Sequence, residues 1–181
     1  MPFTHDTESA LQAAAALVNT TRDPADDALA TLADLDEFVR DNEYSGTRAH
    51  DRDELVAVQS LRSPVGHLWD LSTEELVDAV NAMLVDTAAL PQLVRHDEWD
   101  WHLHATPSDA PLATRMKVEI AMALVDLVRA GETDRLKRCA ADDCTGVLVD
   151  LSRNRSRRFC STTCSNRVAA AAYRSRSSHR A

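Results

Sequence analysis

All four cysteines of the chain lie within 26 residues, in the order Cys139-x4-Cys144-x15-Cys160-x3-Cys164. Four thiols held that close in sequence must share a metal ion, form disulfides or work as a redox pair. The opening residues, MPFTHDTESALQ, lack a basic start followed by a dense apolar stretch, and no run approaches a membrane span. A cytoplasmic protein with no membrane association is expected, and there a cysteine cluster points to metal before disulfide. Zinc is the default ion. It takes four thiolates in a tetrahedron at ~2.3 Å, and two cysteine pairs with a spacer deliver two ligands from each of two turns. A closed shell of four cysteines leaves no position for substrate or water, so one structural zinc is expected on Cys139, Cys144, Cys160 and Cys164. The x4 and x3 spacings depart from the commoner x2 knuckle, and a redox dithiol or unmetallated core cysteines remain as alternatives.

The charge around this cluster differs from the rest. The chain has 20 Lys or Arg and 29 Asp or Glu, a net charge of −9. Residues 135–181 hold eleven of the basic residues and three of the acids, or +8, which leaves nine basic and 26 acidic residues, or −17, in residues 1–134. Such asymmetry marks a polyanion-binding module attached to an acidic body. The alternative is that the basic segment docks on the acidic body of its own chain or of a second copy.

Around the cysteines the local pattern suggests a small treble-clef-like module of knuckle, hairpin and helix. GVLVDLS (146–152) reads as a strand, and NRSRRF (154–159) as a turn with a second short strand leading to Cys160. Ser161 is placed to cap a helix running to about Arg174, with Cys164 in its first turn, where the helix N-terminus favours thiolate. A module of this size has almost no core, so metal binding would supply most of its folding free energy, on the order of 10 kcal/mol.

Upstream the pattern is mainly helical. Apolar residues at helical spacing predict helices over 7–21, 27–40, 51–71 and 109–130, the first two joined near Asp23-Pro24 and the third interrupted at Ser63-Pro64. Ser72-Thr73-Glu74-Glu75 fits a capping box opening a helix to about Asp86, and Gly131 is placed to end the 109–130 helix. QLVRHDEWDWHLHAT (92–106) changes period and predicts two short antiparallel strands turning at Asp97-Glu98. The fold class expected is α+β: a mostly helical N-terminal domain with a small antiparallel hairpin over 1–134, then the zinc module over 135–181.

Arginine outnumbers lysine in the basic segment, which suits a bidentate grip on phosphate. Arg153, Arg155, Arg157, Arg158, Arg167 and Arg174 are the expected phosphate contacts, and Asn166 the expected base reader. DNA is therefore the expected partner. The competing reading is a zinc-stabilised platform for a protein partner or a homodimer.

CAADDCTGVLVDLSRNRSRRFCSTTCSNR resembles the CGNR-type zinc finger, whose internal Asp-x-Ser-x-Asn-x-x-Arg-Arg stretch is matched by Asp150, Ser152, Asn154, Arg157 and Arg158. Cys164-Ser165-Asn166-Arg167 stands where that family has Cys-Gly-Asn-Arg, with Ser165 the departure. ALVNT (16–20), LVRHDEWDWHLHAT (93–106) and DRLKRC (134–139) are similar to the stress-induced transcription-regulator (ABATE-like) domain of bacteria. The resemblance implies a DNA-binding transcription regulator whose N-terminal domain senses a small-molecule effector.

For that effector the richest polar and aromatic cluster is His96, Trp99, Trp101, His102 and His104, with Asn19 from the first helix. A second metal between His102 and His104, or simple core packing of the tryptophans, are the alternatives. No catalytic function is expected. With four glycines there is no phosphate-cradling loop, and neither Gly-x-Ser-x-Gly nor His-Glu-x-x-His occurs.

Overall fold

Side-chain caps from Thr31, Asp51 and Ser72 fix the starts of three helices, whereas the helices that open at His5, Arg62 and Leu112 begin without one. The computed structural model describes residues 3–22, 27–95 and 101–178. α1 (His5–Asn19) buries Leu11, Ala14 and Leu17. α2 (Leu32–Asp41) begins in a reciprocal cap, in which Asp34 N donates to Thr31 Oγ1 and Thr31 N to the Asp34 carboxylate. Ser72 and Glu75 make the same box at the start of α5 (Thr73–Asp86), as their spacing implies.

The segment 51–71 divides into α3 (Arg52–Ser60), α4 (Arg62–His67) and a single 3-10 turn, Leu68–Asp70. The break falls at Leu61, not at Ser63-Pro64. Pro64 sits in the first turn of α4, where backbone N–H groups have no intrahelical partner and its missing donor costs nothing. The Asp23-Pro24 junction lies outside the described residues.

α6 (Leu112–Arg129) starts three residues later than its apolar pattern because Pro111 precedes it, and it ends before Gly131, whose φ of +68° terminates the helix. It packs against both α1 and α5. Ile120, Leu124 and Leu127 meet Leu11 and Ala14 of α1 and Leu76 and Val80 of α5. Leu112 and Met116 join a second cluster with Leu17, Leu35, Phe38 and Val58. Each of these fully buried side chains contributes roughly 2 kcal/mol. The hairpin of β1 (Gln92–Val94) and β2 (His102–His104) is antiparallel with Leu93 opposite Leu103, and its expected Asp97-Glu98 turn is outside the described residues.

In the cysteine region the second strand differs from the expectation. β4 (Val147–Val149) does form, but its antiparallel partner is β3 (Leu136–Arg138), with Lys137 opposite Leu148, and 154–159 forms no strand. The reason is Asp150. Its buried carboxylate accepts from Ser152 N, Ser152 Oγ and Arg157 N, which winds 150–157 into a loop and uses the N–H groups a ladder would need. Arg155 completes the turn in the left-handed region at φ 51°. α7 (Thr162–Ser178) follows Ser161, whose Oγ accepts from Cys164 N.

β4 does not stand apart from the helices. Val147 and Val149 belong to the core built by α1, α5 and α6. Its edge away from β3 is closed by Asn19, which exchanges two hydrogen bonds with Val147, and Trp69 Nε1 also donates to Leu148 O at 2.9 Å. Packing thus runs across the 134/135 position at which the charge changes sign.

Candidate metal centre and nucleic-acid interface

Two turns bring the four thiols together. Cys139 directly follows β3, held by Cys139 N to Gly146 O, and a tight turn from Ala141 presents Cys144. Cys160 ends the Asp150 loop, and Cys164 lies one turn into α7. The four Sγ atoms all lie within 4.8 Å of one another, and the separations Cys144–Cys160, Cys160–Cys164 and Cys164–Cys144 are 3.6, 3.7 and 3.7 Å. A tetrahedron of thiolates at ~2.3 Å from zinc has edges of ~3.8 Å. The donor set is closed and all sulfur, which suits one structural zinc.

Each thiol also meets an N–H donor. Cys160 N lies 3.5 Å from Cys139 Sγ and Gly146 N 3.4 Å from Cys144 Sγ, while Arg22 and Arg167 guanidinium groups lie 3.6 and 3.8 Å from Cys160 and Cys164 Sγ. Four thiolates around a divalent ion leave a net −2, and two arginines supply the balancing charge. Burial raises the Cys144 thiol to about 12 and raises Cys160 as well. At Cys139 burial acts the same way, but N–H groups of Cys160 and Ala141 outweigh it and bring the thiol to about 7. Only a cation at the centre would favour thiolate at all four positions together.

Gly146 is required at its position because the zinc knuckle presses on the end of α1. A Cβ there would stand 2.8 Å from Asn19 Oδ1 and 3.0 Å from Cys160 Sγ.

The expected phosphate-binding residues separate into two groups. Arg155 is bound to Asp134 at 2.6 Å and Glu132 at 2.8 Å, Arg157 donates to the carbonyls of Phe159 and Cys160, and Arg167 bonds Asp143 at 2.6 Å. These three brace the module. Arg153, Arg158 and Arg174 are exposed and have no carboxylate partner among the described residues; Arg158 rests on the Phe159 ring at 5.7 Å. Asn166 is exposed beside them on α7. Beyond Val168 the helix is exposed on every side through Arg174, so it stands out from the body of the protein.

Asp150 is the residue whose role sequence reading missed, although the Asp-x-Ser spacing was in view. Fully buried, it also receives Lys137 Nζ at 2.6 Å. Burial opposes its charge, but the bonds from Lys137 and Ser152 hold the carboxyl down at about 2. Arg135 anchors the same loop through the carbonyls of Asp150 and Ser152.

The proposed effector residues are not gathered in one place. Asn19 is committed to Val147 and lies at the zinc module. Trp101, 64% exposed, lines a cavity together with Leu103 and His104. His96 and Trp99 lie outside the described residues, as does the side chain of His102.

A mostly helical domain with a four-cysteine module seated on its first helix defines a zinc-finger protein. Residues 11–131, more than half the chain, match the family described as "ABATE: Putative stress-induced transcription regulator", and the chain belongs to it. Residues 135–177 match the CGNR zinc finger, in the order expected. No curated protein matches the chain. Among the described residues no helix is long and apolar enough to cross a membrane.

Proposed function

We propose that the protein is a cytoplasmic, DNA-binding transcription regulator, not an enzyme, in which the outer face of the zinc module grips DNA and the helical domain receives a small effector. The observation that carries this reading is the division of the arginines. Arg155 is taken up by Glu132 and Asp134 of the acidic domain and Arg167 by Asp143 of the module itself, whereas Arg153, Arg158, Arg174 and Arg176, on the loop and on the projecting part of α7, are exposed without a carboxylate among the described residues. Unpaired guanidinium groups on a helix slim enough for the major groove are what phosphate contact needs. Net repulsion from the acidic domain would keep DNA on that outer face.

A second reading rests on the exposed Ala169 to Tyr173 segment of α7, an uncovered small-residue surface on which a second copy or a protein partner could pack. Retention on random-sequence DNA at 50 and 200 mM salt separates the two. Phosphate contact makes affinity fall steeply with salt. Retention that is absent at both salts, with dimer formation that is indifferent to salt, would favour the second.

A further inference from the structure

We infer that the helical domain binds an amphipathic organic cation in the cavity between α1, α6 and the β1–β2 hairpin. This rests on, and sharpens, the effector-receiving half of the proposed function. The cavity is about 560 Å³, the size of a drug-like ligand. Its apolar lining comes from Ala10 and Ala13 of α1, Val118 and Met122 of α6, and Leu93 and Leu103 of the hairpin. Leu93 and Leu103 are 66% and 47% exposed, a degree at which a free surface seldom leaves paired leucines.

Charge within the cavity has one sign. Asp6, Glu43, Glu119 and Asp126 line it, together with His5 and His104, and among the described residues no lysine or arginine does. Asp126 accepts from Thr7 at 2.8 Å. The Tyr44 hydroxyl is buried with no hydrogen-bond partner among the described residues, and the half-buried Glu119 carboxyl stands beside it. Burial raises the Glu119 carboxyl to about 7 against the pull of Arg115 one turn earlier. Arg115 does not reach into the cavity. It is buried elsewhere, giving NH1 to the carbonyls of Thr47 and Ala110.

A half-buried carboxyl and an unpartnered hydroxyl beside apolar walls, with Asp6 and Glu43 exposed around them, favour a ligand that brings positive charge with its own apolar surface. An anion would be repelled by the carboxylates of Asp6, Glu43 and Asp126. A neutral apolar molecule would fill the apolar walls but bring no charge to meet the acidic groups around them. Trp101 at the mouth adds an aromatic face that attracts cations.

The test is calorimetric titration of the full zinc-loaded chain with tetraphenylphosphonium and with tetraphenylborate, which share a shape and differ in charge. The expected result is saturable binding of the phosphonium at one site, at least tenfold tighter than the borate. Glu119→Gln should weaken it about tenfold, and Ala10→Phe, which fills the cavity, should abolish it. Zinc content and the melting curve report whether each variant is folded. Equal binding of both ions, or phosphonium binding indifferent to both substitutions, overturns the cation assignment while leaving an effector site standing. Failure of both ions to bind removes the effector reading as well, and DNA retention, measured separately, is untouched by either result.

Discussion

The Arg22 guanidinium, carried by the turn after α1, stands 3.6 Å from the Sγ of Cys160. The helical domain therefore supplies part of the hydrogen-bond shell of a metal centre built by the other segment of the chain. α1 is the connecting element: Ala10 and Ala13 line the cavity, Asn19 holds β4, and Arg22 follows within one turn. The negative thiolates hold the Arg22 proton more firmly than usual, first through the Cys160 contact. Arg22→Gln removes a charge that balances the zinc–thiolate cluster without removing a ligand. Zinc release to a chromogenic chelator should then be faster by ~10-fold or more, as loss of partners around metal ligands generally brings. Arg40→Gln, on the exposed face of α2, is the control and should release zinc at the parent rate.

Asn19→Ala should destabilise the protein by about 2–4 kcal/mol. Its amide donates to Val147 O at 2.9 Å and accepts from Val147 N at 2.8 Å, and Val147 is fully buried. Removing it strands both backbone groups away from water. Urea melts of zinc-loaded protein give the number. Asn19→Asp keeps the acceptor and loses the donor, so its loss should lie between parent and Asn19→Ala in stability while zinc release accelerates, because a carboxylate then faces the thiolates.

What could be read from sequence was what is local. The cysteine spacing, the Ser72–Glu75 box and the stripe of α6 each lie within a few turns of chain, and each forms as its spacing implies. Asn19 reads in the sequence as an effector residue, but its side chain is committed to Val147, 128 residues away, and nothing in either segment announces the other. β3 was missed because Leu-Lys-Arg has no apolar alternation and becomes a strand only by pairing with β4. The arginines looked equivalent in the sequence. Which of them meets Glu132, Asp134 or Asp143 is decided by how the module seats on the helices.

Glu119 makes stability depend on pH in a particular direction. Its carboxyl is raised by burial from an ordinary value near 4.5 to about 7, so the folded state prefers the protonated form. Between those values the folded protein holds a proton that the unfolded chain has lost, and stability falls as pH rises, levelling above about 7. Arg115 on its own helix pulls the other way, and Tyr44, His5, Asp6, Asp126 and His104 share the cavity with it. Glu119→Gln lacks this penalty. Its melting temperature should match the parent near pH 5 and exceed it by a few degrees at pH 8, since ~1 kcal/mol moves Tm by ~2–4 °C in a chain of this length. A difference that is constant from pH 5 to pH 8 would count against a buried carboxyl.

Arg155 and Arg158 lie three residues apart in the same basic loop and should behave in opposite ways. Arg155 spans Asp134 and Glu132 at 2.6 and 2.8 Å, and both of its partners hold the loop to the turn before β3. Arg158 is exposed, touches only the Phe159 ring among the described partners, and has no carboxylate to give up when a phosphate arrives. Arg158→Ala should leave the melting temperature unchanged and reduce the slope of log affinity for DNA against log salt by ~0.9, the share of one phosphate. Arg155→Ala should keep that slope and lower the melting temperature slightly instead, because the pair is nearly half exposed on the arginine side and solvent screens it. Both variants are read in one experiment, filter retention across a salt series with melting curves run alongside. If the two arginines changed the slope equally, the outer face would have no privilege over the inner one, and ion pairing within the chain would not be what selects the arginines that meet DNA.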